Sequence, residues 1–458
     1  MSYRLKPVLI VTAAIFTLAT SMAAQSETLT DTLIKAYKQS GLLEQNRAVL
    51  RAADEDVAQA VSTLRPVINY YVNMNQTSYK TPGGSNNGHT TGNIGLSASL
   101  LLYDGGGSKL AVDGAKETVL ATREALLSIE QSVLLRAVTA YMNVLREKEF
   151  VTLSQNNVRV INEQLRAAKD RFEVGEVTRT DVSLAESRLA LARANLAAAE
   201  GNLARSREEY RAAVGTYPKY LRPAPKAPAT ARSLEAARAI AYSTHPAMKK
   251  VQHDIAAAEI GVLRSAALMK PKLSLVGRVN MDHNQTDTAS VGLELGGPIY
   301  QGGMLSSIYR QAMARRDAAR AGMYTTRHDV AQGVGNAWAL LVVSRATLVA
   351  NDRQIKAARD AFLGVKEEAT LGARTTLDVL DAEQELLNAQ ANRISSITDQ
   401  YVATYTLLSA MGLLTVEHLK LGIRTYDPAA YYNAVHRAPA DSRQGKSLER
   451  VLRALGKD

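Results

Sequence analysis

The chain has 458 residues, no cysteine, one tryptophan, four phenylalanines and a formal net charge of +11. Without Cys there is no disulfide scaffold, thiolate metal site, Cys nucleophile or lipidated N-terminal Cys. Apolar residues make up 46% of the chain, mostly Ala, Leu and Val, and mean hydropathy is −0.14. That argues against a bundle of membrane-spanning helices and for long helices packed closely together.

Residues 1–24 read as an export signal. Arg4 and Lys6 precede the apolar run Val8–Ala19, and Ser21-Met22-Ala23-Ala24 supplies small residues for cleavage. The run is too short to span a membrane, and no later segment reaches about 18 uninterrupted apolar residues. Export removes nucleic acid as the partner of the positive charge.

The remainder contains itself twice. Leu29 matches Leu234, and Leu64-Arg65-Pro66 matches Met269-Lys270-Pro271, both at an offset of 205. Tyr103-Asp104-Gly105-Gly106 then matches Tyr300-Gln301-Gly302-Gly303 at an offset of 197. The second offset holds through Tyr141 on Trp338, Gly175 on Gly372, Asp181-Val182 on Asp378-Val379 and Gly215 on Gly412. The expected division is a first repeat over 25–217, a Pro-rich joint over 218–232, a second repeat over 233–412 and a tail over 413–458.

Each repeat opens with a short helix, expected over Leu29–Leu64 and Leu234–Leu268. Two strands follow. Pro66–Gln76 sets Ile68, Tyr70, Val72 and Met74 against Asn69, Asn73 and Asn75; Asn93–Leu102 sets Ile94, Leu96, Leu100 and Leu102 against Asn93, Ser97 and Ser99. Leu273, Leu275, Val279 and Met281, then Val291, Leu293 and Leu295, repeat the pattern in the second copy. Strands of about ten residues, apolar on one face only, suit a membrane barrel or an ordinary half-buried hairpin. Turn-rich loops are expected at Tyr79–Thr91 and Asp282–Thr288. The pairs Gly105-Gly106 and Gly302-Gly303 then mark strand-to-helix corners. Gly105-Gly106-Gly107-Ser108-Lys109 lacks the spacing of a phosphate-binding loop.

Beyond the corners each copy becomes helical. Gly107–Val174 amounts to roughly 100 Å of helix at 1.5 Å per residue. After a break at Gly175, Val182, Leu189, Leu196, Leu203 and Tyr210 recur every seven residues, with Ala185, Ala192, Ala199, Ser206 and Ala213 three positions later. This spacing imposes a left-handed coiled coil with close backbones. The tail carries Tyr426-Asp427-Pro428 and Tyr431-Tyr432 and is expected to wrap the helices as part of an equatorial belt.

Four strands cannot close a barrel, and open sheet edges are not tolerated in lipid. Three chains would supply twelve strands, continued by a tube of helices. At this point the residues resemble the TolC family of outer membrane efflux and secretion channels. The resemblance rests on Pro298-Ile299-Tyr300-Gln301-Gly302-Gly303-Met304, on Phe172-Glu173-Val174-Gly175 with Thr180-Asp181-Val182, and on Leu371-Gly372-Ala373-Arg374-Thr375-Thr376-Leu377-Asp378-Val379-Leu380-Asp381-Ala382. It covers about Leu29–Gly412 and implies an α+β membrane protein: a homotrimeric twelve-stranded barrel in outer membrane lipid on a periplasmic α-helical coiled-coil barrel. It further implies a passive exit duct without cofactor or catalysis, docked on a periplasmic adaptor protein and an inner-membrane transporter of RND or ABC type. The alternative is a periplasmic coiled-coil adaptor without a pore.

The resemblance also assigns a site. Asp378 and Asp381 are three residues apart, share a helix face and would form an acidic entrance ring of six carboxylates in a trimer. Thr375-x-x-Asp378 and Thr178-x-x-Asp181 read equally as capping boxes. Capping does not explain Asp381, whose counterpart is Leu184. Arg374 with Thr180 and Asp181 matches the family's gate links, whereas the family's tyrosine three residues before the glycine is Ala369 here. Val174-Gly175-Glu176 and Leu371-Gly372-Ala373 match its adaptor-docking turns. The seven histidines form no metal-binding pattern.

Overall fold

The computed structural model describes residues 26–80, 82–84, 86–282 and 287–437, together with Lys446 and Arg450. The expected export signal and most of the chain past 437 lie outside the described residues. The first repeat forms α1 (Leu29–Gln39), α2 (Gly41–Ser62), β1 (Val67–Lys80), β2 (Asn86–Tyr103), α3 (Gly107–Glu173) and α4 (Arg179–Val214). The second forms α5 (Leu234–Thr244), α6 (Pro246–Ala267), β3 (Lys272–Asp282), β4 (Asp287–Gly296), α7 (Met304–Thr370) and α8 (Thr376–Ala410), followed by α9 (Pro428–Val435).

The opening helix of each repeat is two helices, not one. Ser40 takes extended dihedrals (φ −69°, ψ 111°), and its hydroxyl accepts from the Leu43 amide to cap α2. His245, at the matching position, is extended as well (φ −66°, ψ 126°), and its Nδ1 accepts from the Ala247 amide. Pro246 follows it, and the residue before proline is kept out of the helical region.

The strands form one antiparallel sheet in the order β1-β2-β3-β4. In the first repeat they run past their expected ends, because Asn73↔Asn93 continues through Asn75↔Thr91 to Lys80↔Asn86. Paired backbone therefore occupies most of the segment expected as a loop. The β2–β3 register, Leu96↔Val279 among others, joins the two repeats across the sheet. One face carries Ile68, Tyr70, Val72, Met74, Ile94, Leu96, Val279, Met281, Val291, Leu293 and Leu295, all exposed in the single chain. An apolar face of that extent requires lipid or protein cover. Among the described residues, β1 and β4 are free edges.

Both α3 and α7 have 67 residues, long enough to run roughly 100 Å. In α4 the buried residues Ala185, Leu189, Ala192 and Ala199 follow the heptad positions. A main core joins α1, α3, α4, α5, α7 and α8 around Tyr141, Tyr210, Leu341, Leu407 and Leu408. The Tyr141 hydroxyl donates to the Arg222 carbonyl at 2.6 Å, and the Tyr210 hydroxyl lies 2.9 Å from Thr32 Oγ1. Trp338 packs partly buried against the same core. Past α8 the chain returns to α2: the Tyr431 hydroxyl donates to Glu55 at 2.7 Å, and Arg65 donates to the Arg437 carbonyl.

Candidate functional site

The corners are built as their glycines demand. Gly105, Gly106, Gly302 and Gly303 have φ of 70°, 88°, 59° and 84°, the left-handed region that disfavours a Cβ. In the first repeat Asp104 also accepts from the amides of Gly106 and Ser108 at 3.1 and 2.6 Å.

The far end of the long helices is a pair of equivalent hairpin tips. α3 ends at Glu173, and Gly175 (φ 80°) closes the turn as the Glu176 amide donates to the Arg171 carbonyl at 2.9 Å. α7 ends the same way, with Gly372 at φ 78° and the Ala373 amide bonded to the Glu368 carbonyl at 2.9 Å. These are left-handed helix ends that satisfy terminal carbonyls. They leave two apolar side chains in the open, Val174 at 72% exposure and Leu371 at 85%.

The capping boxes form in full. Asp181 Oδ2 accepts from the Thr178 amide at 2.9 Å and hydroxyl at 2.7 Å, and Asp378 Oδ2 accepts from both Thr375 groups at 2.9 Å. The Thr178 hydroxyl and amide hold the Asp181 carboxyl below its usual range. The Thr375 amide and hydroxyl do the same for Asp378. Both aspartates are thus ionised helix caps, in the first turns of α4 and α8.

Asp381 is engaged differently. Arg188 of α4 donates to Asp381 Oδ1 at 2.7 Å and ties the α3–α4 pair to the α7–α8 pair. Arg374 bonds Glu368 of its own hairpin at 2.8 Å. Within one chain, then, Arg374 does not meet exposed Thr180 or Asp181. The reason is local: Asp181 is committed to its cap, and Glu368 stands across the α7–α8 turn from Arg374.

The residues that sequence reading missed are Arg188, Glu368 and Glu383. Glu383 is buried between α8, α3 and α4, near Asn157, Ile161, Arg188 and Asn195, and its Oε2 has no hydrogen-bond partner among the described residues. Ile161, Leu165, Ala168, Ala185, Leu189 and Leu380 form the apolar cluster at this level. The contacts of Arg188 and Glu383 cross between the repeats, which heptads read along one helix do not report. Among the described residues no group of His, Asp and Glu is placed to hold a metal ion.

A family model described as outer membrane efflux protein matches residues 33–216 and 239–413. The outer membrane efflux protein BepC of Brucella suis is 36% identical over 426 residues, covering 92% of each chain. The outer membrane protein TolC of Vibrio cholerae is 27% identical over 425 residues, covering 89% of this chain and 95% of that one. The structure of the Campylobacter jejuni CmeC outer membrane channel matches with a TM-score of 0.75 at 15% identity, over 90% of both chains, a likeness of fold.

Proposed function

The chain belongs to the outer membrane efflux protein family and is an outer membrane export channel, not an enzyme; on that premise we propose that three copies close a single duct gated at its helical tips. The observation that carries the trimer is the four-stranded sheet, with its exposed apolar face and two free edges. In lipid those edges must pair, and three copies give a closed twelve-stranded barrel. A pore-free adaptor has no use for such strands. Residues 1–24 are the export signal, 25–217 and 233–412 the two repeats around the joint 218–232, and 413–458 the tail, equatorial over its part through 437.

The tips are the periplasmic entrance. Asp378 and Asp381 from three copies ring it, and a narrow acidic ring is costly to close without counter-charge. Arg188 supplies that charge to Asp381. Arg374, Thr180 and Asp181 link neighbouring copies, since they do not meet within one. The turns Val174-Gly175-Glu176 and Leu371-Gly372-Ala373, apolar at Val174 and Leu371, dock a periplasmic adaptor that couples the duct to an inner-membrane transporter of RND or ABC type.

A heat-sensitive trimer from outer membrane fractions, conducting in planar bilayers, is the expected result; a soluble periplasmic monomer would overturn the duct. Arg188→Ala and Arg374→Ala should each raise single-channel conductance by freeing the tip. Conductance equal to that of the unmodified trimer in both variants would sink the gate.

A further inference from the structure

The sheet has a second face, opposite the apolar one. Strand alternation puts Ser97 and Ser99 of β2, Lys272, Ser274, Val276 and Arg278 of β3 and Glu294 of β4 on that face. With Lys270, in the turn before β3, these residues line one cleft of about 880 Å³ at the foot of the sheet. The apolar face is excluded as their location, because Leu273, Leu275, Val279 and Met281 occupy the alternate positions of β3.

Among the described residues, Lys270, Lys272 and Arg278 form no ion pair, and neither does Glu294. The register accounts for this at Arg278. Arg278 pairs with Ser290 and Glu294 with Ser274, so the two charges stand four residues apart along the ladder. That is roughly 13 Å at 3.3 Å per residue, beyond ion-pair reach. Lys272 opposite Gly296 is nearer Glu294. The cleft lining thus carries three cations and one anion, a net charge of +2 per chain. Asp282 lies at the opposite, loop end of β3.

In the trimeric duct this face is the lumen, and the inference rests on that reading. Twelve strands about 4.8 Å apart, tilted about 40°, close a backbone ring of roughly 12 Å radius. Lys and Arg side chains reach inward from it. Their charges then lie within about one Debye length of the axis, which is about 8 Å at physiological salt. We propose that Lys270, Lys272 and Arg278 of three copies form a cationic collar at the foot of the barrel, which sets the charge preference of the opened duct and favours anionic cargo. The collar stands in series with the acidic entrance. While the tips are closed the narrow carboxylate ring controls passage, and once they part the collar is the remaining charged constriction.

The test uses the full-length trimer with its tips freed by Arg188→Ala and Arg374→Ala, its raised conductance confirming that it is open, in planar bilayers with a KCl gradient and a short polyglutamate peptide added on the barrel side; the substitutions below are made on that background. Polyglutamate should block the current reversibly, and oligolysine of equal length should not. In K270Q/K272Q/R278Q the block should weaken at least about tenfold and the chloride share of the current fall about threefold, with both differences shrinking in 1 M salt. Glu294→Gln should move both readings in the opposite direction, and Arg278→Gln alone gives a smaller shift of the triple variant's sign. Reversal potential and polyglutamate block unchanged in these variants would overturn the collar while leaving the duct intact. Absence of a conducting trimer from the unmodified chain would overturn the duct and the collar together. Heat-sensitive migration on gels shows which of the two has occurred.

Discussion

Glu383 stands two residues past Asp381, 7% exposed, between the two helix pairs whose separation is the proposed opening of the tip. Burial pushes its carboxyl from 4.5 up to about 7, against the pull of Lys366. The sign follows from which state holds the proton. Between pH 4.5 and about 7 the closed tip keeps a proton that the opened, hydrated tip releases. Closed-state stability therefore falls as pH rises through that window and is level above it, by an amount on the order of 3 kcal/mol. Asp54, fully buried in α2 away from the tip and pushed up to about 6 by burial against the opposing pull of Arg123, lowers the stability of the fold itself as pH rises between 3.8 and 6. Glu383→Gln should remove most of the difference in trimer melting between pH 5 and pH 8 and raise the melting temperature at pH 8. An unaltered pH difference would show that the charge of Glu383 is not felt. The acidic character of this site was legible in Asp378 and Asp381, and capping could be read from Thr-x-x-Asp spacing alone. That Asp381 takes Arg188 as its partner was not legible, because Arg188 belongs to the first repeat and its counterpart in the second is Glu385.

At the scale of elements, the duplication is a packing rule used twice. Gly215 caps α4, and Gly412 follows Met411 at the end of α8, both left-handed at φ 89° and 77°. Each glycine presses on the break between the two opening helices of its own repeat. A Cβ on Gly412 would lie 2.6 Å from His245 Cα, and one on Gly215 would meet the Gln39 side chain. Backbone cannot step aside as a flexible glutamine can. Gly412→Ala should therefore cost about 3 kcal/mol, the left-handed penalty plus a clash, and Gly215→Ala only about 1–2 kcal/mol. Paired urea melts check the order, and an equal loss in both would contradict the contact. The same break explains where sequence reading of the fold stopped. Leu29–Leu64 is apolar at helical spacing on both sides of Ser40, so periodicity alone runs through the capping residue. His245-Pro246 did carry a stop signal, and its match to Ser40 at the same offset could have located the first break. The 67-residue helices and the four alternating strands were legible because their periods continue uninterrupted for many turns or rungs. The strand ends near Lys80 and Asn86 were not, since Thr, Ser and Asn pair in a ladder as readily as they turn.

The whole molecule must still cover what a single chain leaves open. α7 contains an 18-residue stretch with mean hydropathy 1.3, the length and composition of a membrane span, yet only 22% of it is buried. Val330, Val334, Ala337, Leu341 and Ser344 account for the buried side of α7, which packs on the rest of the chain. Leu340 and Val343 remain exposed on one flank of the buried stripe, and Val342 and Val349 on the other. A 67-residue helix that also packs along α8, α6 and α5 does not cross a bilayer, so a neighbouring copy is the cover these residues require. The free edges of β1 and β4 demand the same neighbour from the sheet end, so the barrel and the helical tube close at one protomer boundary. Charging the flank of α7 that carries Leu340 and Val343 should then break the assembly without unfolding the chain. Val343→Asp with Leu340→Asp places two carboxylates where an apolar seam forms, at a cost of several kcal/mol per interface. The expected outcome is loss of the heat-sensitive trimer, with helix content by circular dichroism kept within about a tenth of the unmodified protein. Asp at Arg315, exposed on the same helix and unpaired among the described residues, should leave the trimer in place. A trimer that survives the double substitution would mean that the sheet edges alone hold the copies together and that the apolar side of α7 faces the lumen.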